Sequence, residues 1–346
     1  MKHNSSIDSI VVPGIQMKFN LKTCGYGIAA LLLIFGRYPL SWLLSSRSAK
    51  KPRRINNQHY HETYIESPTG NVLFVKSEGR IDATPLVFIH GINSSSQQWQ
   101  YQQQRFSNKY RLILIDLPGH GRSSDAADFS IEALAIDLST VLIQLSIQQP
   151  VLYGHSLGGM MIQEYCKLKL SPEPSAIILQ SCSYTNPLKT MPISPWPWLL
   201  ESPLITPILR NIARNNQVFT TLGYVAYSSG LSSLFYRLVL FTGKQSVATL
   251  RFMTNLAANT KAKTTAETLL STFKFDASNA LKNIDVPCLI IVAEKDRLID
   301  PKAGLQQHRQ IKGSEFIMVK GGHQTLAEYP EETNNAMEQF LLKHRL

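Results

Sequence analysis

Cysteine is scarce in this chain. Its four cysteines, Cys24, Cys166, Cys182 and Cys288, show the spacing of neither a zinc site nor a redox pair. A disulfide framework and a thiolate-ligated metal centre are therefore not what organises the chain. Three of the four lie in or beside apolar stretches, where cysteine packs as a small hydrophobe. Acidic residues are almost missing from the N-terminus. Residues 1–54 hold nine Lys or Arg against the single acid Asp8, so they carry eight of the eleven formal positive charges. The remainder is close to neutral, which argues against a nucleic-acid-binding domain. No internal repeat or low-complexity tract is visible, so solenoid and disordered architectures are set aside. Nor does any uninterrupted apolar run reach the roughly 20 residues of an ordinary membrane span.

The nearest approach to such a run is the segment at about 24–44. It contains Gly27-Ile28-Ala29-Ala30-Leu31-Leu32-Leu33-Ile34-Phe35 and continues through Gly36-Arg37-Tyr38-Pro39-Leu40-Ser41-Trp42-Leu43-Leu44. Nine Leu, Ile or Phe at about −0.3 to −0.6 kcal/mol each barely outweigh one Arg at about +2.5 to +3.5 with its Gly, Pro and Ser neighbours. Three readings compete: a marginal transmembrane helix, a signal peptide with its apolar core at 27–35, and an interfacial anchor with Tyr38 and Trp42 at headgroup level. No small-x-small cleavage site follows convincingly. We therefore read 1–57 as a basic extension with an uncleaved membrane anchor, and its partner as a membrane surface. Export after signal cleavage, or organelle targeting, is the alternative. Arg47, Lys50, Lys51, Arg53 and Arg54 after the segment, against Lys18 and Lys22 before it, place the following domain on the cytoplasmic side.

Beyond the polar linker at 45–57, strand patterns recur at 60–65, 72–75, 85–89, 111–115, 150–153, 176–180, 287–293 and 315–319. Helical patterns fall at 130–146, 157–169, 300–309 and 331–344. Alternating β and α elements predict an α/β domain over 58–346, with a mostly parallel eight-stranded sheet covered on both faces. The ninety-odd residues at 184–280 interrupt the alternation and predict an inserted helical cap. Its apolar groups include Phe219, Leu222, Tyr224, Phe235, Tyr236, Leu238, Leu240, Phe241 and Phe252. Most of these should form the cap's own core, and a few an acyl pocket.

The segment Gly154-His155-Ser156-Leu157-Gly158-Gly159 stands between the strand at 150–153 and a helix. That is the context a G-x-S-x-G nucleophile elbow requires, with glycines where a side chain would strike the strand or helix. Asp296 follows the strand at 287–293, and His323 follows the one at 315–319. A serine hydroxyl becomes a nucleophile when an imidazole takes its proton, and an acid fixes the tautomer of that imidazole. Asp300 is the nearby competitor to Asp296, but it precedes Pro301 and reads as a helix cap. The loop His90-Gly91-Ile92-Asn93 after the strand at 85–89 supplies a candidate oxyanion donor at Ile92, and Leu157 supplies the other. His90 reads as a packing residue beneath that loop.

The order Ser156, Asp296, His323, the His90-Gly91 pair and the segment Asp116-Leu117-Pro118-Gly119-His120-Gly121-Arg122-Ser123-Ser124 resemble a serine hydrolase of the α/β-hydrolase superfamily. The likeness covers about 58–346. It implies that Asp116 and His120 are structural, turning the chain after the fourth strand. It further implies hydrolysis of carboxylic esters of lipophilic acyl groups through an acyl-enzyme, by an esterase or monoacylglycerol-lipase-like protein that needs no metal or organic cofactor. Relatives that open epoxides or remove halide carry aspartate at the elbow, and dienelactone hydrolases carry cysteine; Ser156 differs from all of these. Carbon–carbon bond or lactone hydrolysis is the alternative within enzymes, and a non-catalytic ligand receptor on the same fold the alternative outside them.

Overall fold

The computed structural model describes residues 29–46, 60–192 and 205–346. Eight strands form one sheet: β1 (Tyr60–Glu66), β2 (Val72–Gly79), β3 (Pro85–Ile89), β4 (Arg111–Ile115), β5 (Val151–His155), β6 (Ala176–Gln180), β7 (Cys288–Ala293) and β8 (Glu315–Val319). Their spatial order is β1-β2-β4-β3-β5-β6-β7-β8, and β2 alone runs against its neighbours. Every residue of β5, β6 and β7 is buried, which explains their continuous apolar runs.

Helices cover both faces. Ile131–Gln144, Leu157–Lys167 and Pro301–Gln310 pack on one, where Leu138, Met161 and Ile290 share a core. Gln100–Phe106 and Pro330–Lys343 pack on the other, with Trp99, Phe106 and Phe340. The helix Gln100–Phe106 has no apolar periodicity to announce it. Its inward glutamine is held by polar contact instead: Gln102 is buried and donates to Asn334 Oδ1 at 2.8 Å.

Between β6 and β7 the chain leaves the sheet and returns, its two ends tied by Ala277 N–H donating to Tyr184 O at 2.9 Å. The insertion contains the helices Ile205–Arg214, Asn216–Ser229, Leu231–Phe235, Val247–Ala258 and Ala262–Thr272, and a π-helical turn at Tyr236–Leu240. It has its own small core of Tyr236, Leu240, Phe241, Leu250, Met253 and Leu256. The insertion sits against the loops at the carboxyl ends of the strands. Thr265 Oγ1 donates to Asn93 Oδ1 at 2.6 Å, Lys261 pairs with Asp125 at 2.6 Å, and Gln324 N–H donates to Leu240 O at 3.1 Å.

The N-terminal segment departs from a membrane span. No helix among the described residues is long and apolar enough to cross a membrane, so the transmembrane reading of 24–44 is not supported. Residues 24–28 and the linker at 47–57 lie outside the described residues. The described part is helical at 29–35, turns at Gly36, and resumes at Arg37–Leu43. The second piece docks on the cap: Ser41 is buried, and Arg251 donates to Ser41 Oγ at 2.7 Å and to Tyr38 O at 3.0 Å. A side chain at Gly36 would meet Ser229 O at 2.4 Å, which is why the contact falls on a glycine.

Candidate active site

Ser156 sits in a left-handed turn, with φ 55° and ψ −113°, between the end of β5 and the helix Leu157–Lys167. Few non-glycine residues accept such a φ without strain. The glycines on either side let strand and helix close on it. A Cβ at Gly154 would lie 2.3 Å from the Gly158 carbonyl carbon, and one at Gly158 would lie 2.3 Å from Ile89 O.

The turn aims the serine at the loop after β8. His323 Nε2 lies 3.1 Å from Ser156 Oγ, and His323 Nδ1 lies 2.8 Å from Asp296 Oδ2. The other Asp296 oxygen accepts the N–H groups of Leu298 at 2.8 Å and Ile299 at 3.0 Å. That leaves Oδ2 for the imidazole. Asp300 does something different: it accepts Lys302 N–H at 2.9 Å and caps the helix Pro301–Gln310. His323 and Asp296 are both buried, whereas Ser156 is half-buried and reachable from outside.

The loop after β3 abuts the serine, since a Cβ at Gly91 would lie 3.1 Å from Ser156 Cβ. The N–H groups of Ile92 and Leu157 donate to no partner among the described residues. The neighbouring Asn93 N–H is already taken by His120 Nε2 at 3.2 Å. His90 Nε2 accepts Leu117 N–H at 2.9 Å, and Asp116 accepts the N–H groups of Ser96 at 2.6 Å and Arg122 at 2.8 Å. His90, Asp116 and His120 thus brace the loop rather than face the serine. The three cysteines among the described residues are spectators: burial pushes the Cys166 and Cys182 thiols up to about 12 and Cys288 well above its ordinary value.

Two supporting residues are not apparent from the sequence motifs. His155 is buried beside His323, with ring centroids 5.0 Å apart, and its Nε2–H donates to His323 O at 3.0 Å. Glu328 is buried and gathers backbone donors from two places. It accepts Gly322 N–H at 3.1 Å, just before His323, and on the cap Thr242 N–H at 2.8 Å, Thr242 Oγ1 at 2.8 Å and Lys244 N–H at 2.9 Å. One carboxylate therefore joins the cap to the histidine loop. A glutamate just before a helical tail reads as solvated, so only the fold exposes its role.

The sequence profile of the Alpha/beta hydrolase family matches residues 86–336, and the chain belongs to that family. It is 25% identical over 328 residues to epoxide hydrolase 3 of Xenopus tropicalis, covering 90% of this chain and 86% of that one. It is 25% identical over 276 residues to the bifunctional esterase/perhydrolase DCH of Acinetobacter calcoaceticus, covering 79% and 96%. Among solved structures, a thermophilic esterase from Thermogutta terrifontis shares the fold with a TM-score of 0.68 at 19% identity, over 83% of this chain and all of that one.

The buried histidines make stability depend on pH. Burial lowers His90 to about 4 and His120 and His155 to about 3, from an ordinary value of 6.5. The unfolded chain binds these protons first as pH falls, so their contribution is full above pH 6.5 and is lost on descent toward the folded values. Each ring should steepen the loss by up to about 1.4 kcal/mol per pH unit. Urea unfolding at pH 7, 6 and 5 checks this, and equal midpoints would contradict it. Glu328→Gln should cost about 2 kcal/mol or more, because it neutralises an acceptor of several backbone donors. Thermal denaturation at neutral pH reads that loss, and an unshifted midpoint would show that the clamp contributes little.

Proposed function

We propose that this hydrolase cleaves carboxylic esters of lipophilic acyl groups through an acyl-enzyme on Ser156. The observation that carries this reading is the hydrogen-bonded chain Ser156–His323–Asp296, anchored at a strained elbow. As Ser156 Oγ attacks the ester carbonyl, His323 Nε2 takes its proton. The Nδ1–H stays on the Asp296 carboxylate, which holds the tautomer and offsets the imidazolium charge. The oxyanion is received by the N–H groups of Ile92 and Leu157, which are free to donate. His323 then returns the proton to the leaving alcohol. Water, deprotonated by the same imidazole, releases the acid.

Epoxide opening fits less well despite the relative of that name. Attack by Ser156 on an epoxide carbon would form an ether, which water does not readily cleave, whereas an acyl ester turns over. A pocket of about 340 Å³ among the helices of the cap, reaching the loop after β3, is the proposed seat of the acyl group. It is lined by Leu209, Ile212, Phe219, Ala257 and Leu269, with Asn93 of the loop after β3 at its edge. Its size lies at the low end of the roughly 300–1,000 Å³ range of small-molecule sites and suits one short or medium acyl chain. Of the cap residues offered as pocket candidates, Phe219 lines it; Tyr236, Leu240 and Phe241 belong to the cap's core. A membrane surface, met through the basic N-terminal segment with the catalytic domain on the cytoplasmic side, is the proposed source of substrate.

Ser156→Ala should lose turnover of p-nitrophenyl esters by on the order of 10⁶ and all labelling by a fluorophosphonate, with the fold intact. Labelling that persists at another serine would refute the assignment. Within an ester series, butyrate to decanoate should outperform aromatic carbon–carbon substrates and lactones; the opposite ranking would favour the alternative hydrolysis. Asp296→Asn should cost about 10⁴ in kcat by leaving the wrong tautomer, and Asp300→Asn little. If Asp300→Asn were the more damaging, the acid would be misassigned.

A further inference from the structure

The cap turns apolar side chains outward as well as inward. On the helix Asn216–Ser229, Phe219 and Gly223 face the pocket, while Val218, Leu222 and Val225 are exposed at spacing i, i+4, i+7. The next helical stretch repeats the arrangement. Tyr236 and Leu240 are buried in the cap core, while Leu231, Phe235 and Leu238 are exposed at the same spacing. That spacing marks one face of a helix, and in a surface helix it normally meets the core. Here Leu222 and Phe235 remain 55% and 54% exposed. Leu31, Leu32, Leu33, Ile34 and Phe35 of the N-terminal helical segment are all more than half exposed too.

These three surfaces meet at one corner. The first stripe ends at Ser229, the second begins after Gly230, and the N-terminal segment docks between them. A Cβ at Gly36 would touch Ser229 O, one at Gly230 would lie 3.1 Å from Arg37 Cα, and the Arg37 guanidinium lies 4.7 Å from the Tyr227 ring centroid. The charges of the same regions are one-sided. Among the described residues of these regions, 29–46 and 205–266 contain eight Lys or Arg and no Asp or Glu, and of these Lys261 pairs with Asp125. An apolar surface within acid-free, basic sequence matches an anionic bilayer, with hydrocarbon for the leucines and phosphates for the arginines and lysines.

We propose that the outer face of the cap is a lipid-docking surface that, with the N-terminal segment, seats the protein on an anionic membrane. This deepens, and rests on, the reading of the site as a hydrolase for lipophilic esters. The second stripe runs directly into Leu240, whose carbonyl accepts Gln324 N–H beside His323. Docking through this face would set the cap, and the pocket among its helices, against the bilayer from which an acyl substrate is drawn.

The test uses the full chain and its Leu222→Glu/Leu231→Glu/Phe235→Glu variant, with vesicles of phosphatidylcholine with or without phosphatidylglycerol. The wild type should co-sediment with the phosphatidylglycerol vesicles and poorly with the neutral ones. The triple variant should bind on the order of tenfold less, since binding scales with buried apolar area. Its hydrolysis of p-nitrophenyl acetate in solution and its melting temperature should match the wild type, because all three positions are exposed and outside the site. Undiminished binding by the variant would overturn the proposal, leaving the N-terminal segment alone as the contact. A lipid-free dimer that the substitutions dissociate would overturn it in favour of a second copy, and a lowered melting temperature would show that the stripes pack within the chain. If the wild type binds vesicles but hydrolyses no ester, the functional reading fails while the docking surface stands.

Discussion

Everything at the site depends on a backbone approach that only glycine permits. β5 ends and its helix begins within a single left-handed residue, so strand and helix must nearly touch. The Gly154–Gly158 contact and the Gly158–Ile89 contact, both about the length at which a Cβ would collide, make that turn possible. The strained residue between them is Ser156, and strain at a buried corner persists only where surrounding structure over-determines it. Here Ser156 N–H is held by Gln180 O at 2.9 Å, on the adjacent strand. The hydroxyl is thus fixed by the sheet itself and not by a mobile loop.

The same logic sorts the N–H groups around the serine into those used for architecture and those left over. Asn93 N–H goes to His120, Leu117 N–H to His90, and Ser96 and Arg122 N–H to Asp116. His90 and His120 stay neutral and able to accept, because burial holds both imidazoles well below neutral pH. A protonated His120 could not accept from Asn93. The pH dependence of stability and the integrity of the loop after β3 therefore share one cause.

Much of this was legible in the residues, and for a physical reason. Central strands of a parallel sheet are buried on both faces, so β3 to β7 stand out as short apolar runs, and the loops at the carboxyl ends of β5, β7 and the edge strand β8 collect Ser156, Asp296 and His323. The two glycines announce the elbow because nothing else fits. What escaped was whatever depends on long-range polar pairing. The helix Gln100–Phe106 buries glutamines against Asn334, contrary to any hydrophobic pattern. Glu328 has no local signature for its role as a clamp, since its partners on the cap lie over eighty residues away. The segment 24–44 presents nearly enough apolar length for a span, but Arg37 and Ser41 find partners on the cap, which hydropathy counting does not anticipate.

That docking changes what the cap is. A cap held only by its two tethers at Tyr184 and Ala277 would move as a lid on a hinge. This one has further attachments: Thr265 to Asn93 near the serine, Glu328 and Leu240 to the histidine loop, and the helix Arg37–Leu43 across its back. The first two touch loops that carry the site, so displacement of the cap would be felt at Ser156 and His323. The third joins the cap to the basic, apolar end of the chain. The N-terminal segment and the histidine loop are thus attached to one and the same element, the cap, at separate places.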